Sequence, residues 1–122
     1  MEITQGVRFD SLGLSPELMR ALEKKGYVES TPIQAGCIPP MMDWQDVTAK
    51  APTGTGKTFA FGIPIIEHVD PESEAVQAVI LAPTRELAMQ ITSEMRDLAQ
   101  FKPGIRMVCL YGGQPIGKQI DA

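Results

Sequence analysis

No stretch of this sequence approaches the roughly 18 consecutive apolar residues that a membrane span requires. The first residues, Met1-Glu2-Ile3-Thr4-Gln5, show neither the basic n-region nor the apolar h-region of a secretory signal. Cysteine is scarce. The two present, Cys37 and Cys109, lie far apart with no C-x-x-C pairing, which argues against a disulfide scaffold or a zinc site and fits a reducing cytoplasm. Cys109, within Met107-Val108-Cys109-Leu110, reads as a small core residue. The single histidine, His68, ends a helical run and reads as a solvated helix-end residue, since a catalytic or metal role needs partners the chain does not offer. Basic runs are also missing: 11 Lys+Arg stand against 15 Asp+Glu, a net charge of −4. A nucleic-acid module usually carries a basic stripe, so tight independent binding to a phosphate backbone is not expected of this chain. Repeats, linkers and low-complexity tracts are absent, and Asp70-Pro71-Glu72-Ser73-Glu74 reads as a solvated acidic loop.

At 122 residues the chain is one domain at most, and its 43% hydrophobic and 21% charged residues read as soluble and globular. Its organising stretch is Ala51-Pro52-Thr53-Gly54-Thr55-Gly56-Lys57-Thr58, preceded by the strand-like Val47-Thr48-Ala49 and followed by a helical run from Phe59 to Ile66. Strand, glycine-rich loop and helix are the context of a phosphate loop. Gly54 and Gly56 permit the tight turn that converges backbone N–H groups on phosphate oxygens. The helix beginning near Lys57 adds unpaired N–H groups and the positive end of its dipole. Lys57 would reach the β- and γ-phosphates, and the Thr58 hydroxyl would ligate Mg²⁺. Ala51 replaces the first glycine of the general pattern.

Around the loop, a first helix is expected from Pro16 to Lys25, with Ser15 as N-cap, Leu14 and Met19 as a hydrophobic staple, and Gly26 as its stop. Thr31-Pro32-Ile33-Gln34 reads as a capping box opening a second helix, which Pro39-Pro40 should break. On that local reading Gln34 only closes a helix end. Phe59, Ile63 and Ile66 mark the buried face of the helix after the loop, and Pro64 should kink it. Val76–Ala82 and Ile105–Tyr111 read as two further strands. Between them Thr84 caps an amphipathic helix with Leu87, Ile91, Met95 and Leu98 on one face and Arg96 and Asp97 toward solvent. Alternating strands and helices predict a right-handed parallel α/β layer.

Four separated segments, in this order and spacing, resemble the DEAD-box RNA helicases. Phe9 with Gly26-Tyr27…Thr31-Pro32-Ile33-Gln34 looks like the Q motif, and Ala51 to Thr58 like motif I. Pro83-Thr84-Arg85-Glu86-Leu87-Ala88 looks like motif Ia, and Gly112-Gly113 like the following glycine doublet; the resemblance covers about Phe9 to Ile120. It implies a partial RecA-like P-loop domain, α/β in class, with a parallel sheet between helices in three layers and an end before Walker B. Residues 1–45 would be the Q-motif region and 46–122 the P-loop portion. It implies ATP, ADP and Mg²⁺ as ligands, with Phe9, Tyr27, Thr31 and Gln34 on the adenine side and Ala51, Pro52, Thr53, Gly54, Thr55, Gly56, Lys57 and Thr58 around the phosphates. The Gln34 amide has the donor and acceptor pair that adenine needs. Pro83, Thr84, Arg85, Glu86, Gly112 and Gly113 would lie along an RNA backbone path in a complete enzyme, with RNA held weakly by this chain alone. Trp44 stands where the family commonly has glycine, and Ser30 where it often has proline.

The family's Walker B Asp-Glu-Ala-Asp, its Ser-Ala-Thr segment and its second domain have no counterpart here, so catalysis by the 122 residues alone is not expected. Glu67 and Glu86 are carboxylates outside any motif that would aim them at a γ-phosphate. Two other readings stay open: a P-loop NTPase of another kind, such as a DNA helicase or small kinase, and a non-catalytic, truncated interaction or decoy module whose exposed sheet edge pairs with itself or a partner.

Overall fold

The computed structural model describes residues 5–51 and 56–112. Four α-helices are present there: α1 (Pro16–Lys24), α2 (Pro32–Met42), α3 (Lys57–His68) and α4 (Arg85–Leu98). The caps that start three of them are the ones the sequence offers. Ser15 Oγ accepts from Leu18 N–H, Thr31 Oγ1 from Gln34 N–H and Thr84 Oγ1 from Leu87 N–H. Helix α3 packs against both α2 and α4, and α1 packs on α4. Their facing stripes form one core, in which Leu18, Leu22, Ile38, Ile63, Ile66 and Leu98 are fully buried. Gly62 of α3 lets α4 approach closely: a Cβ there would stand 2.6 Å from Met95 Sδ and 3.2 Å from Leu98 Cδ1. None of the helices is long and apolar enough to cross a membrane.

Helix α2 differs from expectation. Pro39 and Pro40 do not break it, and it runs on to Met42. The two prolines remove only their own N–H donors, while the carbonyls of Pro39, Pro40 and Met41 are taken up by the N–H groups of residues 43–45. Trp44 N–H donates to Met41 C=O at 3.1 Å and Gln45 N–H to Pro40 C=O at 2.9 Å, the paired bonds of a Schellman stop. That stop needs a left-handed residue, and Trp44 supplies it with φ of 60°. Its ring lies against His68, centroids 3.7 Å apart, and His68 Nε2 contacts the Met41 carbonyl at 3.1 Å. His68 is therefore half-buried and held between helix ends, not a solvated side chain. A left-handed L-residue costs roughly 1–2 kcal/mol, which glycine avoids. Trp44→Gly is thus expected to be more stable than Trp44→Ala by about 1 kcal/mol in urea denaturation. Equal stabilities would show that the backbone relaxes without strain.

Lysine 102 was not foreseen as a structural residue. Its ammonium donates to the carbonyls of Ile66 at 2.7 Å, Glu67 at 3.3 Å and Val69 at 2.9 Å, closing the C-terminal end of α3. A cation there satisfies orphan carbonyls and opposes the negative end of the helix dipole. Asp97, expected in solvent, pairs with Lys25 at 2.9 Å and joins α4 to α1; the bond holds the Lys25 ammonium above the usual lysine range.

No strand is formed among the described residues: Val47–Ala49, Val76–Ala82 and Ile105–Tyr111 make no ladder. The one β pairing there is an antiparallel bridge between Arg8 and Glu29. A strand needs a neighbouring backbone for its N–H and C=O groups, and among the described residues these three segments form no such ladder. They are nevertheless ordered with respect to the helices. Residues 105, 107, 109 and 111 are half-buried while 106, 108 and 110 are exposed, the period of two of a strand lying on a helical layer. Cys109 accordingly sits half-buried at that boundary, whereas Cys37 is buried and its thiol is pushed up by desolvation; both are free.

Candidate nucleotide-phosphate site

The site is assembled where the N-terminal ends of α2 and α3 meet. Gly56 precedes α3 with φ of 79°, a left-handed conformation that favours glycine. A Cβ at this position would also stand 2.3 Å from Gln34 Nε2. Unlike α1, α2 and α4, helix α3 has no side-chain cap, and no acidic residue stands in its first turn. A helix start of this kind can present its leading N–H groups and the positive end of its dipole to an anion. Lys57 opens this turn with an exposed side chain, and Thr58 follows, half-buried. Pro52, Thr53, Gly54 and Thr55 lie outside the described residues, as does Gly113.

Gln34 joins the two helix ends. It is 4% exposed. Its Oε1 accepts from Thr31 N–H at 2.9 Å, completing the capping box, and its Nε2 donates to Gly56 C=O at 3.1 Å. The capping role was legible in sequence; the bond to Gly56 was not, because it spans two segments. Primary amides have two N–H groups and two lone pairs, so one of each remains for a ligand. Tyr27 meets Phe59 of the first α3 turn edge-on, with centroids 5.5 Å apart. Tyr27 is 46% exposed and offers a ring face, while Phe9 is 1% exposed and belongs to the core. Of the two aromatics expected near a base, the structure leaves only Tyr27 open to one.

The remaining candidates fall elsewhere. Pro83, Thr84, Arg85, Glu86 and Gly112 are all exposed. Thr84 Oγ1 is engaged in capping, and Arg85 lies 3.6 Å from Glu86, an exposed pair of little energetic weight. Glu67 is committed to α1: its carboxylate accepts both Ser15 N–H, at 2.9 Å, and Ser15 Oγ–H. Among the described residues no cluster of three or more His, Cys, Asp or Glu side chains could hold a metal ion. A magnesium ion fits here only with a nucleotide, whose phosphates and waters would supply the ligands that Thr58 alone cannot.

Known proteins resemble the chain in both sequence and fold. The chain is 51% identical over 114 residues to the DEAD-box ATP-dependent RNA helicase CshA of Geobacillus kaustophilus, covering 93% of this chain and 24% of that protein. Its fold superposes on a DEAD box protein from the hyperthermophile Methanococcus jannaschii with a TM-score of 0.82 at 37% identity, covering 93% of this chain and 31% of the other. The same TM-score, 0.82, at 34% identity, relates it to the RNA helicase Prp28 of Chaetomium thermophilum bound to ADP, over 97% of this chain and 32% of that one. The likeness supports a RecA-like fold, and the chain spans about a quarter to a third of the length of these proteins. The DEAD/DEAH box helicase family model matches residues 31–122, from the Thr31 cap through the first turn of α3 and on past α4, and the chain belongs to that family.

Proposed function

We propose that this chain binds an adenine nucleotide through Gln34, Tyr27 and the N-terminal end of α3, as the ATP-binding part of an ATP-dependent RNA helicase. The observation that carries the reading is the Gln34 side chain, which is fixed to both Thr31 and Gly56 and still has one donor and one acceptor to spare. The CshA relative is named an ATP-dependent RNA helicase, and the Prp28 neighbour contains ADP. In this reading Tyr27 lies against the base. Thr31 fixes the amide, Ala51 to Gly56 cradle the phosphates, Lys57 neutralises the β- and γ-oxygens, and Thr58 ligates Mg²⁺. When bound, that ion would neutralise charge developing on the phosphoryl oxygens. In the whole protein, hydrolysis would be coupled to RNA unwinding or to remodelling of ribonucleoprotein. RNA phosphates would run past Pro83, Thr84, Arg85, Glu86 and the Gly112-Gly113 doublet, where the exposed Thr84–Arg85 end of α4 can meet an anion.

The finer architecture belongs to the same proposal: residues 1–45 as the Q-motif region and 46–122 as the P-loop portion, with a parallel sheet between two helical layers. Val108 and Leu110 point away from the helices and are exposed, as are Val79 and Leu81, at 76% and 91%. Segments apolar on both faces are those of a sheet covered on both sides. The same apolar residues favour self-association when the 122-residue chain is alone, and sedimentation distinguishes that fate from a monomer.

Direct binding tests the reading. ADP should bind better than GDP, and Lys57→Ala should weaken ADP binding by roughly 10- to 100-fold, since a charge-assisted hydrogen bond contributes about 1.5–3 kcal/mol. Equal affinity for the two bases would favour a P-loop NTPase of another kind. An unchanged affinity in Lys57→Ala would remove the phosphate site from α3.

A further inference from the structure

We infer that Ser30 and Gly6 form a clasp that positions Gln34 for the base, making the backbone at Gly6, Val7 and Ser30 part of the specificity machinery of the nucleotide site. The inference rests on the adenine reading of Gln34 given above. Ser30 is a buried polar residue, 6% exposed, immediately before the Thr31 cap. Its Oγ accepts from Val7 N–H at 3.0 Å, and its own N–H donates to Val7 C=O at 2.7 Å. Two residues on, Phe9 N–H donates to Val28 C=O at 3.0 Å, and the Phe9 ring is seated in the core. Proline at position 30 would have neither the donor nor the acceptor that these bonds use.

Gly6 is what allows the approach. A Cβ there would lie 1.8 Å from the Ser30 carbonyl oxygen, a backbone atom that cannot swing aside, so any other residue must lift the segment. From this clasp the bonding runs on without a gap. Thr31 N–H reaches Gln34 Oε1, Gln34 N–H reaches Thr31 Oγ1, and Gln34 Nε2 reaches the Gly56 carbonyl at the head of α3. Ser30 sits between the part pinned by Val7 and the part that holds the amide. Freeing it lets the Thr31 backbone move, and the orientation of the Gln34 amide moves with it. Ser30 and Gly6 touch neither base nor phosphate in this scheme; they are positioning residues.

The test compares ADP and GDP binding to the 122-residue chain, by competition with a fluorescent nucleotide, for the wild type, Ser30→Ala, Gly6→Ala and Arg8→Ala. The Arg8 side chain is exposed and pairs with neighbouring Asp10 at the surface, so its variant should match the wild type. Ser30→Ala and Gly6→Ala should each weaken ADP binding by roughly 3- to 10-fold, the range of one net hydrogen bond, with GDP binding unchanged. Ser30→Thr, which keeps the hydroxyl acceptor, should recover most of the ADP preference. A wild-type chain indifferent to the base overturns the Gln34 reading and this inference with it. A discriminating wild type whose Ser30→Ala and Gly6→Ala variants keep the same ADP-to-GDP ratio, including by losing both ligands equally, overturns the clasp alone. Should either variant fail to fold, the wild type still decides: binding is reciprocal, so saturating ADP should slow amide exchange at Val7, Phe9 and Ser30. Unchanged exchange at all three would overturn the inference.

Discussion

With saturating ATP and Mg²⁺, the 122-residue chain is expected to release phosphate at least about a thousandfold more slowly than a complete helicase, whether or not RNA is added. Phosphoryl transfer is catalysed almost entirely by positioning and by stabilising charge that develops in the transition state. The first turn of α3 and Lys57 can hold the ground state, but binding substrate and transition state alike does not speed the chemical step. Groups that would distinguish the two are not found among the described residues. Glu67 is tied to Ser15 by two hydrogen bonds, and Glu86 is paired at the surface with Arg85. No acidic residue stands in the first turn of α3 to orient water. An arginine finger alone is worth on the order of 10³–10⁵ in rate in related NTPases. The measurement is phosphate release with and without RNA, beside Lys57→Ala. RNA-stimulated turnover that disappears in Lys57→Ala would show that the chain carries a catalytic base not recognised here. Turnover indifferent to Lys57 would belong to a contaminant.

What the sequence made legible was local. Caps announce themselves within four residues, and Ser15, Thr31 and Thr84 each sit where their side chain meets the next turn's N–H. The stripe of α4 and the left-handed Gly56 are likewise consequences of short-range geometry. What escaped was set by neighbours distant in sequence. Nothing around Lys102 says that its ammonium will close α3, 33 to 36 residues earlier. Proline 39 and Pro40 suggested a break because their cost is local, whereas the Schellman stop that follows them is only evident once Trp44 is seen at positive φ. The strands show the same division from the other side. Their apolar runs are visible in the sequence, and the exposure of residues 105–111 alternates as in a strand, but a ladder depends on backbone partners that the described residues do not provide. At the candidate site, motif and spacing pointed to Gln34, Lys57 and Thr58. The bond from Gln34 to Gly56 and the clasp of Ser30 on Val7 had no sequence signal at all.

Gln34→Ala should be the most damaging single change outside the phosphate loop, costing about 2–3 kcal/mol of stability and removing the preference for adenine. The side chain is buried and serves two backbone groups, the Thr31 N–H and the Gly56 carbonyl. Truncation to a methyl leaves both without their partner, and an unsatisfied buried group costs roughly 1–3 kcal/mol. Stability and recognition can be separated with Gln34→Glu. A carboxylate keeps the acceptor for Thr31 N–H, so the capping box survives and most of the stability of α2 with it. It has no donor for Gly56, however, and its charge faces a carbonyl oxygen. The amide donor left over for a base is lost as well. Gln34→Glu should therefore melt closer to wild type than Gln34→Ala, yet bind ADP no better than GDP. Thermal denaturation and the same nucleotide competition, both at pH 8, read the two properties independently. If Gln34→Glu kept the adenine preference, the amide would be a cap and nothing more. If it melted with Gln34→Ala, the bond to Gly56, not the capping box, would be what holds the two helix ends together.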